Sequence, residues 1–250
     1  LIDLHNHVLP GVDDGAANLT VSLRMLEIAA AQGITHVACT SHANDRATDE
    51  LDRLYQSVFL QVKNAAKQSR IPVELMLGAE LMVGSNIMQI MPFAMATYGG
   101  AGKYALIEFH TETPYEIILN VVKSFRRKNI WPVIAHYERF ARAQRTADQP
   151  QAMRDAGAVL TMDAGSLVGQ FGNALGKRAK QLLAWDCIDI LASDAHNDAE
   201  HGFCMKAGRD AAADQLGMKR AIELVFENPR RVWEGLIWKE KQTDNKAEKA

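Results

Sequence analysis

"LIDLHNH", residues 1–7, is a short apolar run that ends in two histidines one residue apart. Residues i and i+2 of an extended segment face the same way, so His5 and His7 can address one point in space. The loop that follows carries Asp13 and Asp14. The fold depends on how often this pattern returns. Apolar β-type runs recur at 35–40, 73–79, 104–109, 131–136, 158–163 and 187–193, with 1–4 as the first. Several are nearly continuous, as expected for parallel strands buried on both faces.

Helical stretches fill the intervals. One starts at a plausible Asn18 cap and stops at Gly33. A second spans about 48–69, and a third opens with Pro114 in its first turn. Others cover about 144–156, 173–186, 203–216 and 218–226. Seven β/α alternations without a linker predict an α/β fold with one closed or nearly closed parallel barrel. A doubly wound open sheet has the same alternation, so the pattern alone leaves both open. No glycine-rich nucleotide loop follows the first strand. The expected organisation is a single domain over 1–238 and a polar tail over 239–250.

The bulk composition excludes several function classes. The 250 residues are 48% hydrophobic, enough for one large core, and the net charge is -2. No basic field would attract nucleic acid. The basic clusters Arg126-Arg127-Lys128 and Arg230-Arg231 are short and read as solvated helix faces. No run of about 18 apolar residues occurs, so no direct membrane insertion is expected. Three cysteines with no CxxC suit a reducing compartment, and no signal peptide is expected ahead of the first strand. A cytoplasmic protein is the expectation.

Ligand-type residues gather at the strand ends. His5 and His7 follow the first strand, with Asp14 in its loop. His42 follows the second and Glu80 the third. Glu108 ends the fourth and His136 the fifth. Asp194 and His196 follow the seventh, and only the sixth delivers no clear ligand. A parallel barrel brings all these ends to one face, where such folds place their chemistry. Each residue alone has an ordinary explanation: a packed histidine, or a buried carboxylate paired with an arginine. Five imidazoles and four carboxylates at matching positions do not, and clustered carboxylates repel unless cations intervene. Nitrogen and oxygen donors without thiolate favour Mn, Fe, Zn or Mg, and the ligand count suits two or three ions. Three divalent ions would outweigh four carboxylates and a bridging hydroxide. The leftover positive charge suits a phosphate ester dianion.

In this order, "DLHNH", "TSH", "GAE", "IEF", "AHYER" and "SDAH" resemble the polymerase and histidinol phosphatase (PHP) superfamily. Within it the chain is most similar to the bacterial manganese-dependent protein-tyrosine phosphatases of capsule and exopolysaccharide loci. The likeness runs from residue 2 to about 233 and includes "VDDG" at 12–15 and "ENPRRV" at 227–232. The resemblance implies a distorted (β/α)7 barrel with a trinuclear, most often Mn2+, site. By motif, His5, His7, Glu80 and Asp194 would hold one ion. Glu80, Glu108 and His136 would hold a second, with Glu80 bridging. Asp14, His42 and His196 would hold the third. Arg139 matches the family's phosphate-binding arginine. Where some members carry a further arginine, this chain reads "HNDAEHGFC", and His201, Arg46 or no residue fills that place.

The implied reaction is hydrolysis of phosphotyrosine by metal-activated hydroxide, on a membrane-associated tyrosine autokinase that controls polysaccharide synthesis. A phenolate leaves without a strong acid; His201 is a candidate to protonate it, and the competing reading is a surface loop histidine. The sequence itself disfavours a cysteine-dependent phosphatase. The residues six positions after Cys39, Cys187 and Cys204 are Asp45, Ser193 and Asp210, not arginine. His36 and His110 receive no catalytic role. Three alternatives stay open: a PHP phosphatase for a small ester such as histidinol phosphate, a nuclease-type module, and a non-catalytic metal-binding scaffold. Oligomeric state is not legible. For Arg139 the competing reading is a surface arginine paired with Glu138.

Overall fold

The computed structural model describes residues 1–238, so the tail expected over 239–250 lies outside the described residues. All seven apolar runs form parallel strand segments. In chain order these are β1 (Ile2–Asp3), β2 (His36–Cys39), β3 (His42–Asn44), β4 (Glu74–Leu77), β5 (Glu80–Met82), β6 (Tyr104–Glu108), β7 (Trp131–Ile134), β8 (Val159–Asp163) and β9 (Ile190–Ala192). There are nine segments rather than seven because two strands are interrupted at the level of the site. Between β2 and β3, Thr40 leaves the ladder and exchanges bonds with Asn6: its N–H donates to the Asn6 carbonyl at 3.0 Å. Its hydroxyl accepts from the Asn6 N–H at 3.0 Å. Gly78 and Ala79 interrupt the next strand in the same way, with the Gly78 N–H on the Cys39 carbonyl at 2.9 Å.

The segments pair in the orders β1-β2-β4 and β3-β5-β6-β7-β8-β9. A parallel bridge between Asn6 and Ala195 joins the first strand's extension to the last. Beside it, the Asp194 N–H donates to the His5 carbonyl at 2.8 Å and the His7 N–H to the Ala195 carbonyl at 2.8 Å. Asp3, fully buried, clamps the same seam by accepting from the Ser193 N–H and hydroxyl, both at 2.8 Å. The result is a distorted seven-part parallel barrel.

Inside the ring, alternate strand residues pack on one another: Ile2, Leu4, Ala38, Leu106, Val133, Val159 and Ile190. The barrel is a filled core, not a pore. The second, larger cluster lies under the helices. Helix α1 (Leu19–Ala31) is capped by Asn18, whose side chain accepts from the Val21 N–H, and it buries Ser22, Met25, Leu26 and Ala29. Thr48 caps α2 (Asp49–Gln68) in the same way. Pro114 was expected in the first turn of α3 (Tyr115–Arg127). It is the cap instead, because its ψ of 146° is extended.

The helix expected near 144–156 starts at Asp148 and ends at Asp155 (α4). A short α5 (Ala164–Leu167) follows β8 directly and was not foreseen. Helices α6 (Asn173–Ala184) and α7 (Met205–Leu216) fall where expected. The last predicted helix is longer than its pattern. After α8 (Met218–Ile222) a π-helical turn, Glu223–Glu227, leads into α9 (Asn228–Trp233). The wider turn fits Pro229, which has no N–H to offer an α-helical ladder.

Candidate metal centre

The nine expected ligand residues stand on the C-terminal side of the barrel, where β2 and β4 give way to His42 and Glu80, and the structure gathers them about one buried carboxylate. Glu80, 1% exposed, starts β5. Its Oε2 lies 3.2 Å from His5 Nε2, 3.4 Å from His7 Nε2 and 3.0 Å from His42 Nδ1. Three imidazole nitrogens surround this oxygen, yet it makes no hydrogen bond among the described residues. Asp194 Oδ1 lies 3.3 Å from His5 Nε2 and 3.4 Å from His7 Nε2, and the two histidine Nε2 atoms are 3.4 Å apart. Donors about 2.0–2.2 Å from a common ion stand roughly 3.0–3.5 Å from each other. The spacing of His5, His7, Glu80 and Asp194 is that of a coordination shell, and all four are buried.

Two further groups adjoin it. His136 Nε2 is 2.9 Å from Glu80 Oε1 and 3.4 Å from Glu108 Oε1. His42, Glu80 and Glu108 also converge. Asp14 Oδ1 is 3.6 Å from both His42 Nε2 and His196 Nε2, and these three converge with His7. His42 therefore faces both groups, one ring nitrogen to each. Asp14 is 70% exposed and stands at the mouth.

The backbone is bent to aim these side chains. His136 and Asp194 both adopt left-handed φ, 31° and 52°. Residues with side chains rarely do so, and the strain is held where the strand ends turn toward the site. The histidine tautomers are set from behind. His7 Nδ1 lies 2.8 Å from Asp13 Oδ2. His196 Nδ1 lies 2.8 Å from the Asp194 carbonyl. Both arrangements turn Nε2 into the cluster, where a neutral ring would present its lone pair to a cation.

The electrostatics show how tightly the cluster is coupled. Burial disfavours charge on His7 and His136. Asp13, Asp194 and Glu80 around His7, and Glu108 and Glu80 around His136, outweigh it and hold both pKa values well above the ordinary range. Burial likewise opposes ionisation of Glu80 and Asp194, but His5 and the other imidazoles pull both carboxyls well below theirs. Burial and the neighbouring His7 push His196 down to about 4. Carboxylates kept charged in a dry site and imidazole nitrogens aimed at common points fit divalent cations. Without cations, protons on imidazole take their place.

Arg139 lies in a 3-10 turn, Tyr137–Arg139, just past His136. Its Nη2 bonds Asp163 Oδ2 and Asp194 Oδ2, both at 2.6 Å, so it sits against the cluster. The surface reading with Glu138 does not hold. Glu138 is fully buried and turns away, accepting from the Asp163 N–H at 3.1 Å and the Ser166 hydroxyl at 2.6 Å. His201 Nε2 is 3.8 Å from Asp194 Oδ2, and its ring stacks on His196 at 4.4 Å. Arg46, the other option for that place, is exposed, and its N–H bonds Asn44. His36 pairs with Glu74 and meets Trp233 edge-on, in a separate contact from the cluster. His110 is exposed.

Sequence reasoning missed three residues here. Asp13 orients His7 and also accepts the His42 N–H at 2.9 Å. Asp163 ends β8, so the sixth strand does contribute a carboxylate, toward Arg139. Phe171 lies beneath the Arg139 guanidinium. The "VDDG" motif could have flagged Asp13, and the strand-end rule itself could have flagged Asp163.

The chain matches the family model for capsular polysaccharide synthesis, CpsB/CapC, over residues 1–234. It is similar to the tyrosine-protein phosphatase CpsB of Streptococcus pneumoniae, with 27% identity over 237 residues, 93% of this chain and 98% of that one. To the tyrosine-protein phosphatase YwqE of Bacillus subtilis (strain 168) it is 28% identical over 203 residues, 81% of this chain and 80% of that one. A solved structure from work on YwqE and CpsB, described as unique metal-dependent tyrosine phosphatases, superposes with a TM-score of 0.87 at 26% identity, covering 96% of this chain and 97% of that one. The lactonase Lmo2620 from Listeria monocytogenes shares the fold at a TM-score of 0.56 and 12% identity, covering 96% of this chain and 95% of that one.

Proposed function

This chain belongs to the capsular polysaccharide synthesis CpsB/CapC family, and from that premise we propose that it is a metal-dependent protein-tyrosine phosphatase. The observation that carries the reading is the buried group of His5, His7, Glu80 and Asp194, whose donor atoms are spaced as the ligands of one ion. In this reading those four hold one cation. Glu80, Glu108 and His136 hold a second, and Asp14, His42 and His196 hold a third, with Mn2+ as the native metal. Bound divalent cations supply Lewis acidity, which brings the pKa of a water toward neutral and offsets charge on phosphoryl oxygens.

The protein's own groups do the rest. Asp13 and the Asp194 carbonyl fix the ring orientations of His7 and His196. Arg139, always protonated, offers a planar set of donors to phosphate oxygens. Asp163 holds it in place over Asp194. His201, stacked on His196 and 3.8 Å from Asp194, is the group this reading assigns to the place of a second arginine. The substrate class is phosphotyrosine on a protein, as the names of the relatives support, and in this reading its bearer is a tyrosine kinase of polysaccharide synthesis. No helix among the described residues is long and apolar enough to cross a membrane. The three cysteines are free, which supports placing the protein in the cytoplasm.

The test compares Mn2+-loaded protein on a phosphotyrosine peptide and on histidinol phosphate. The peptide should have the higher kcat/KM. The reverse order overturns the substrate reading, and hydrolysis of neither overturns the phosphatase reading.

A further inference from the structure

Arg139 and the proposed cations would hold the phosphate, and the group esterified to it needs a partner of its own. We propose that Phe171 is the specificity-determining contact for that group, an aromatic wall that favours aryl over alkyl phosphate esters. The inference rests on the phosphatase reading and deepens it.

Phe171 touches the phosphate side of the site twice. The Arg139 guanidinium lies over its ring at 5.3 Å, and the His201 ring meets it edge-on, at 5.0 Å and 80°. Its exposure sets it apart from the other rings nearby. Phe140, Phe109 and Tyr137 are all buried and belong to the core, whereas Phe171 is half-buried. An ester group attached to a phosphate held at Arg139 must leave the cluster toward solvent. Among the described residues, Phe171 is the aromatic ring recorded against the Arg139 guanidinium, so it borders that way out.

The loop that carries Phe171 is built to hold it still. Gly169 and Gly172 bracket the Gln170-Phe171 pair with φ of 84° and 89°. Such values let the chain turn sharply on both sides. The Gln170 N–H donates to the Gly165 carbonyl at 2.9 Å. The Gln170 side chain donates to the Glu200 carbonyl and accepts from Cys204 Sγ. A side chain on Gly165 would place its Cβ 2.8 Å from Phe171 Cε2, so the ring rests on bare backbone. A ring fixed in advance gives its contact energy to a ligand with little ordering cost. An aryl group gains offset or edge-on contact with it, and a short alkyl group does not.

The test uses non-hydrolysable probes. Dissociation constants for phenylphosphonate and methylphosphonate are measured on the Mn2+-loaded wild type, Phe171→Ala and Phe171→Trp. The wild type should prefer the phenyl compound. Phe171→Ala should weaken phenylphosphonate by about 3- to 10-fold, the usual scale of one aromatic pair, and leave methylphosphonate within about twofold. Phe171→Trp should keep the preference. Equal weakening of both probes overturns the proposal and reduces Phe171 to a prop for Arg139 and His201. No change for either probe overturns it as well. Phosphotyrosine peptide turnover by the wild type reports on the phosphatase reading separately. If turnover is absent while the phenyl preference is present and lost in Phe171→Ala, that reading fails and the role of Phe171 stands.

Discussion

Asp13 and Asp14 are adjacent and chemically identical, yet the structure gives them different work. Asp13 is mostly buried and accepts from three places: the His7 ring at 2.8 Å, the His42 N–H at 2.9 Å and the Gly15 N–H at 3.0 Å. Asp14 stands at the mouth with His42 and His196. Burial opposes the charge on Asp13, but bonds to His7 keep its carboxyl below the ordinary range, as suits an anion that orients a ring. Arg139 is the other residue defined by its partners. Its side chain is 28% exposed, and two carboxylates hold it against the cluster. It supplies no metal ligand, because guanidinium only donates. Arg139→Ala should therefore keep the metal content of the wild type and lose about 10²–10³ in turnover, the scale for one preorganised charge-stabilising donor. Arg139→Lys should recover only part, since an ammonium lacks the fork. Elemental analysis with steady-state kinetics on a phosphotyrosine peptide decides this, and near wild-type kinetics in Arg139→Ala would remove its role.

At the scale of elements, the strand ends and the loop after β1 carry the site. Gly15 shows how close that loop lies. A Cβ there would sit 2.1 Å from the His7 carbonyl oxygen and 2.4 Å from His7 Cβ. Gly15→Ala must push the loop off His7. It should destabilise the protein by about 1–3 kcal/mol, the usual cost of overpacking. It should also weaken metal binding by about 10- to 100-fold, as loss of ligand support typically does. Calorimetric titration of metal-stripped protein with Mn2+ checks this, and unchanged affinity would contradict the packing argument. The same elements show what the sequence could reveal. His5, His7, His42, Glu80, Glu108, His136, Asp194 and His196 were legible because strand periodicity and parallel topology place them on one face. The division of labour between Asp13 and Asp14 was not, because both follow one strand and only the fold buries one of them. The interruptions at Thr40 and Gly78 were hidden because the apolar runs stop there, and nothing in the pattern shows the strands resuming at His42 and Glu80. Phe171 was hidden because a loop ring acquires meaning only once Arg139 lies over it.

In the whole molecule, the ring of strands closes through the seam between β1 and β9, and the cluster lies on that seam. Stability and metal content are therefore linked, and pH shows the link. In the metal-stripped protein His7 and His136 have raised pKa values. Their contribution is fully present below about 6.5 and is lost as pH rises through the raised values. Glu80 and Asp194 have depressed values. Their contribution is present above about 4 and is lost as pH falls through the depressed values. His196, held down at about 4, takes stability away as pH falls below about 6.5, so metal-stripped protein should melt highest near pH 6.5 and lower at pH 8, whereas Mn2+ should raise the melting temperature most at pH 8. Thermal melts across pH with and without Mn2+ check the sign, and a stripped protein most stable at pH 8 would contradict it. If the proposed function is right, the carboxylate and imidazole cluster works only as a metal centre. The most direct measurement is phosphotyrosine peptide turnover by chelator-stripped protein while Mn2+ is returned in counted equivalents. Turnover should be absent at zero metal and recover to saturation at two to three ions per chain. Full turnover by protein shown by elemental analysis to be metal-free would contradict it.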